Sequence, residues 1–256
     1  MLPTHSTLCC AGLRAGYDGQ EKLHGVDLDL APGRLTAVVG PNGCGKSTLV
    51  RCLAGQLAPT GGEITLTGKA LSRVNPALRA RKIAYMPQSR LVPEISVGQL
   101  VLHGRYPHLK WGQRPGAKDR QIAEEAIGLA GLSDRADAPV SQLSGGERQR
   151  AYLAMMLAQQ AQVMLLDEPT AYLDLSRQFE LLALLRKLCE EGLCVLAVLH
   201  DLGLAMSFAD DLIVMDGGRI AQRGSARQIY DSGVLERVFS VRVRAVDGQY
   251  LFSSKN

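Results

Sequence analysis

The chain has 256 residues, 46% of them hydrophobic and 21% charged, a balance that excludes a disordered or low-complexity protein. A formal net charge of +4 is too small to single out nucleic acid or lipid as a partner. No apolar run approaches the roughly 18 to 20 residues that a membrane-spanning helix needs, and the length suits one α/β domain that carries a subdomain.

Met1 to Gly12 offers neither a basic region nor a long apolar stretch, so no secretory signal is read there and a cytosolic chain is expected. Cysteines at 9, 10, 44, 52, 189 and 194 have no C-x-x-C spacing, which argues against zinc or a disulfide framework. From Leu8 to Leu30 the sequence alternates like antiparallel strands, with breaks at Gly16-Tyr17-Asp18-Gly19 and Ala31-Pro32-Gly33. Tyr17 is either a half-buried strand-end aromatic or a face offered to a purine, and spacing alone does not choose.

Leu35 to Val39 then reads as a short buried strand, and Ser47 to Ala54 as the start of an amphipathic helix. Between them Gly40-Pro41-Asn42-Gly43-Cys44-Gly45-Lys46-Ser47 matches G-x-x-x-x-G-K-[ST] at every fixed position. Glycines at 40, 43 and 45 permit a backbone in which successive amides point at one anion, and the helix N-terminus adds partial positive charge. Lys46 supplies a full charge near the β and γ phosphates of a nucleotide, and the Ser47 hydroxyl can reach Mg²⁺. A phosphate-binding loop is expected.

Thr60 to Gly68 reads as turn, strand and turn, and Ile83 to Gln88 as a strand that leaves Gln88 at its C-terminal end, where α/β folds place ligand contacts. Helical patterns at Val97 to Arg105, Lys118 to Ala130 and Gly146 to Gln160 suggest an inserted helical lobe. Residues 103–120 carry Arg105, Lys110, Arg114, Lys118 and Arg120 against Asp119 alone, either a solvated loop or an edge that docks a partner or anionic headgroups. Two glycines in Leu143-Ser144-Gly145-Gly146-Glu147-Arg148-Gln149 precede a helix and make another N-terminus able to hold an anion.

Val163-Met164-Leu165-Leu166-Asp167-Glu168 is an apolar run ending in two carboxylates, as expected of a buried parallel strand. One acid can hold Mg²⁺ through its water shell and the other can orient and deprotonate a water. Val195 to His200 repeats the design with a single imidazole at the end. Asp211 to Gln222 reads as a hairpin around Asp216-Gly217-Gly218, followed by a short helix and a tail.

Gly40 to Ser47, Gln88, Leu143 to Gln149, Leu165 to Glu168, Asp174 and His200, in this order and at these spacings, resemble the nucleotide-binding subunit of an ATP-binding cassette (ABC) transporter over nearly the whole chain. The resemblance implies one P-loop NTPase domain over 1–256: an α/β RecA-like core with a mixed sheet, an N-terminal antiparallel β subdomain, and a helical subdomain inserted at about 89–162. It also implies that Tyr17 stacks on adenine and that Gly40 to Lys46, Ser47 and Thr48 hold the phosphates. Ser47 and Asp167, with Gln88, would position Mg²⁺; Glu168 would polarise the attacking water and His200 would contact the γ-phosphate. Ser144, Gly145, Gly146 and Gln149 would act across a homodimer on ATP held by the other copy, and Asp174 would also belong to the nucleotide site.

Gly104-Arg105-Tyr106-Pro107-His108, Ala171-Tyr172-Leu173-Asp174 and Leu199 to Leu202 are similar to importer subunits that serve iron-siderophore, haem and cobalamin uptake. That narrower resemblance implies two transmembrane permease subunits, a periplasmic binding protein acting indirectly, no nucleic acid, and a place on the cytoplasmic side of a bacterial inner membrane. Cys44 and Ala171, where many relatives have Ser, are the departures, and neither carries chemistry. A soluble ABC ATPase on ribosomes or DNA is the alternative class, against which stand a single cassette and too short a stretch between Lys46 and Leu143 for a coiled-coil arm.

Overall fold

The structure, a computed structural model, describes residues 7–88 and 92–255. The expectation about the first six residues, and the proposed start of the helical lobe at 89, lie outside the described residues.

The chain begins with the antiparallel strands β1 (Leu8–Tyr17) and β2 (Gln20–Leu30), then enters β3 (Leu35–Val39) and α1 (Lys46–Leu53). β4 (Gly61–Leu66) and β5 (Lys69–Ala70) return to the antiparallel layer, and α2 (Pro76–Lys82) leads into β6 (Ile83–Met86). Three helices follow, α3 (Val97–His103), α4 (Ala117–Leu129) and α5 (Gly145–Gln159). Strand and helix then alternate as β7 (Val163–Asp167), α6 (Leu175–Glu190), β8 (Cys194–Val198), α7 (Leu202–Phe208) and β9 (Asp211–Asp216). β10 (Arg219–Gly224), α8 (Ala226–Asp231), α9 (Val234–Phe239), β11 (Val241–Val246) and β12 (Gln249–Ser254) complete the described chain.

A six-stranded sheet runs in the order β10-β9-β3-β8-β7-β6, parallel from β9 through β6, with β10 antiparallel at one edge. Its central strands read as unbroken apolar runs because both faces are covered. Val38, Leu165 and Leu196 pack with α1 and the four-stranded sheet β2-β1-β4-β5 on one side. Ala37, Leu166, Val195 and Ala197 pack on the other side with Leu182 and Leu185 of α6 and Ala205 of α7.

A third cluster joins Val97, Leu100 and Val101 of α3, Ala123 and Ile127 of α4, and Ala151, Ala154 and Ala158 of α5. Helix α5 serves two cores at once, since its Leu153 and Met156 belong to the cluster against the large sheet. The helical lobe is therefore bound to the large sheet along one shared helix.

Two expectations need correction. The basic stretch is not a uniform charged edge: Arg105 is only 6% exposed, because its guanidinium is satisfied inside by Asp119, the Ala158 carbonyl and Gln160. The chain also does not run out in a tail; α9 and a β11–β12 hairpin follow the expected helix α8. Asp247 and Gly248 turn that hairpin with φ of 49° and 78°, the left-handed pair that a two-residue connection with matching twist requires.

Leu196 lies fully buried at the centre of the sheet on β8. Leu196→Ala is expected to lower the free energy of unfolding by about 2–5 kcal/mol in urea titration, and a loss below about 1 kcal/mol would show that the sheet is not the stabilising core.

Candidate active site

The loop between β3 and α1 is shaped by contacts that only glycine allows at two positions. A Cβ on Gly40 would stand 2.4 Å from the Met215 carbonyl oxygen, and Gly45, at φ 103°, would drive one to 2.9 Å from the Lys22 carbonyl oxygen. Lys46 is buried and donates from Nζ to the carbonyls of Gly40 at 2.7 Å and Pro41 at 2.9 Å. The loop thus closes around its own cation. Phosphate oxygens offer that ammonium a fully charged partner in place of two neutral carbonyls.

Parallel pairing brings the other groups to the same edge. Met86 pairs with Leu166 and Asp167 with Val198, so β6, β7 and β8 end level and release Gln88, Glu168 and His200 together. Glu168 adopts a left-handed backbone, φ 57°, immediately after the strand. That turn breaks the alternation of faces, and the two consecutive acids take different neighbours. Ser47 Oγ donates to Asp167 Oδ1 at 3.0 Å, whereas Gln88 Nε2 donates to Glu168 Oε2 at 2.8 Å. His200 Nε2 stands 2.6 Å from Glu168 Oε1. A carboxylate only accepts, so Nε2 carries the hydrogen and both oxygens of Glu168 are held in place.

Asp167 is 1% exposed and its Oδ2 has no hydrogen-bond partner. Burial pushes its carboxyl above the usual carboxylate range, with the Ser47 hydroxyl pulling the other way and the charge of Glu168 adding to the rise. A buried anion with one unpaired oxygen beside a hydroxyl is a fitting partner for a hard divalent cation that takes oxygen ligands. Among the described residues no group of three or more His, Cys, Asp or Glu gathers to hold a metal, so such an ion would draw its remaining ligands from phosphate and water.

Tyr17 ends β1 with its ring partly exposed, and its hydroxyl accepts from Arg51 of α1 at 3.4 Å. This tie links the aromatic to the phosphate-loop helix, and no motif in the sequence marks Arg51 for it. Thr48 is buried at the start of α1, and Cys44 Sγ lies 4.0 Å from Lys46 Nζ.

The segment 144–149 and Asp174 stand apart. Ser144 caps α5, accepting from the Glu147 amide while the Glu147 carboxylate accepts from the amide of Ser144. The neighbours of Gly145 and Gly146 are Tyr172 and Leu173, and among the described residues no hydrogen bond or ion pair joins this turn to loop 40–47. Asp174 caps α6 by accepting from the Arg177 amide. Gln149 is 4% exposed, and its Nε2 donates to the Pro169 carbonyl at 2.6 Å, so within one copy it braces the turn after β7.

The sequence profile of the family described as "ABC transporter" matches residues 23–171. The ferric enterobactin transport ATP-binding protein FepC of Escherichia coli is 39% identical over 237 residues, 92% of this chain and 88% of that protein. The hemin import ATP-binding protein HmuV of Gloeobacter violaceus is 43% identical over 221 residues, 83% of this chain and 80% of that protein. Among solved structures, the dimeric ATP-binding cassette MJ0796 in a post-hydrolysis state with ADP and Pi superposes with a TM-score of 0.77 at 27% identity, covering 86% of this chain and 99% of that one.

Lys46→Ala removes the only full positive charge inside the phosphate loop. At least a tenfold loss of ATP affinity, about 1.4 kcal/mol, is expected in calorimetry, and unchanged affinity would contradict the assignment.

Proposed function

The chain belongs to the ABC transporter family, and from that premise we propose that it is the ATP-binding subunit of an importer for an iron complex such as a ferric siderophore. It is an ATPase whose hydrolysis is coupled to transport. The observation that carries the residue assignments is the bracketing of Glu168 between Gln88 and His200, beside the loop that holds Lys46.

In this reading Tyr17 stacks on the adenine, the amides of Gly40 to Ser47 cradle the phosphates, and Lys46 exchanges loop carbonyls for phosphate oxygens. Ser47 and Asp167, with Gln88 at their margin, would hold Mg²⁺, which supplies charge that neutralises the phosphates. Glu168 takes the proton of the attacking water, while Gln88 and His200 fix the direction of its carboxylate. His200 is half exposed, and on leaving Glu168 its Nε2–H can donate to a γ-phosphate oxygen instead.

A single copy presents only half of such a site. Beside the glycines of α5, Tyr172 is 83% exposed and Leu175 and Phe179 are also open, an apolar face suited to a second copy of the chain. Closure over ATP would place Ser144 to Gly146 of one copy against the phosphates of the other. Only a nucleotide that binds the closed pair more tightly than the open one can do work on a permease.

The partners are membrane permease subunits, with a periplasmic binding protein acting through them. Among the described residues no helix is long and apolar enough to cross a membrane, and the proposed place is the cytoplasmic face of a bacterial inner membrane. The cargo never touches this chain, and similarity to HmuV favours a haem complex as the second reading. Uptake assays with the cognate permease, comparing ferric siderophore with haem, separate the two.

Glu168→Gln is expected to retain ATP binding and to slow hydrolysis by about 10²- to 10⁴-fold in a phosphate-release assay. Turnover near that of the parent would remove Glu168 from the role of base.

A further inference from the structure

The segment Gly104-Arg105-Tyr106-Pro107-His108 takes no part in the site, yet it is among the most tightly tied stretches of the lobe. Gly104 ends α3 where a Cβ would stand 2.2 Å from the Met155 carbonyl oxygen, so the chain crosses α5 at backbone contact. Arg105 then turns inward. Its Nη1 donates to the Ala158 carbonyl at 2.7 Å and to Gln160 Oε1 at 3.0 Å, and its Nε donates to Asp119 Oδ1 at 3.1 Å. The Gly116 amide and the Arg105 guanidinium hold the Asp119 carboxyl below the usual carboxylate range.

His108 Nε2 lies 2.8 Å from the carbonyl oxygen of Gln159, the last residue of α5. The final carbonyls of that helix thus receive a buried cation and a ring N–H, both of which suit the negative end of a helix. Gln159 in turn donates from Nε2 to the carbonyls of Ala80 and Ile83, and Arg81 Nε donates to the Pro107 carbonyl at 2.6 Å. The C-terminal end of α5 is therefore pinned to α2 and to β6, the strand that delivers Gln88.

Pinning one end of a rod decides where the other end points. Fifteen residues at about 1.5 Å each give α5 a length of about 22 Å, so a tilt of roughly 5° at the pinned end moves Ser144 to Gly146 by about 2 Å. Errors of about 1 Å in reacting groups can cost about a hundredfold in rate.

The geometry points to Gly104–His108 as a positioning latch: Arg105 and His108 hold the last carbonyls of α5 against the core and so aim its Ser144–Gly146 end at ATP bound by a second copy. This rests on the proposed cross-copy site. The latch residues touch no nucleotide and act only through the orientation of α5.

The test uses the full chain carrying Glu168→Gln, with MgATP, and follows dimer formation by sedimentation velocity. Arg105→Ala is expected to raise the protein concentration for half-dimerisation at least tenfold, while displacement of a fluorescent ATP analogue from the monomer changes less than twofold. His108→Ala is expected to give a smaller shift in the same direction, and His108→Gln, which restores an N–H donor, to reverse it. Dimerisation of folded Arg105→Ala at the parent's concentration would overturn the latch, as would a parallel loss of monomer affinity, which marks general destabilisation. Should Arg105→Ala fail to fold, dimerisation of His108→Ala at the parent's concentration would overturn the latch equally. If the Glu168→Gln parent itself does not dimerise with MgATP, the cross-copy site falls, and the latch with it.

Discussion

Level termination of four parallel strands is the constraint on which the rest of the molecule depends. β3, β8, β7 and β6 lie side by side in the sheet, and their registered pairing means that none can shift by one residue without turning its apolar side chains from one buried face to the other. Because the register is fixed by burial, the residues just past the strands arrive together: the loop with Lys46, the acids Asp167 and Glu168, Gln88 and His200. The chemistry is placed by packing, and the left-handed turn at Glu168 then sends its two acids to separate tasks.

The same economy of parts underlies the proposed division of the site between two copies. The large sheet can deliver a phosphate grip, a cation partner and a base, all on one edge. A second set of backbone donors comes from the start of α5, which belongs to another layer and packs beside Tyr172 and Leu173 instead. In the proposed closed pair a second copy joins the two sets, and the exposed face at Tyr172, Leu175 and Phe179 is suited to meet it. Helix α5 is then the mechanical link, sharing Leu153 and Met156 with the core and Ala151 and Ala154 with the lobe.

Most of the core and the centre of the site were legible because their signals are local. A phosphate loop is written in eight consecutive residues, and each buried strand in an apolar run with a polar end. What stayed hidden depends on contacts distant in sequence. Arg105 looked like one more surface charge, since nothing nearby in the chain says that Ala158 and Gln160 surround its guanidinium. The hydrogen bond from Gln149 to the Pro169 carbonyl, across to the turn after β7, likewise has no local signal. That Gln88, Glu168 and His200 converge on one edge is legible in the three apolar runs that each end in a polar residue, whereas the direct contact of His200 with Glu168 depends on β8 pairing with β7. The terminal hairpin had a readable signal, Asp247-Gly248 between Val241–Val246 and Gln249–Ser254, of the kind that marks a two-residue turn.

In the proposed closed pair each ATP is held by the loop of one copy and completed by the glycine turn of another. The most direct test mixes two inactive full-length variants, Lys46→Ala, which spoils the loop, and Ser144→Arg, which spoils the turn. A mixed dimer contains one site with both an intact loop and an intact turn, and ATP turnover is predicted to return on mixing although neither variant turns over alone. If the mixture stays as inactive as its components while both variants are folded and a wild-type control is active, the site is complete within one chain and the account is wrong.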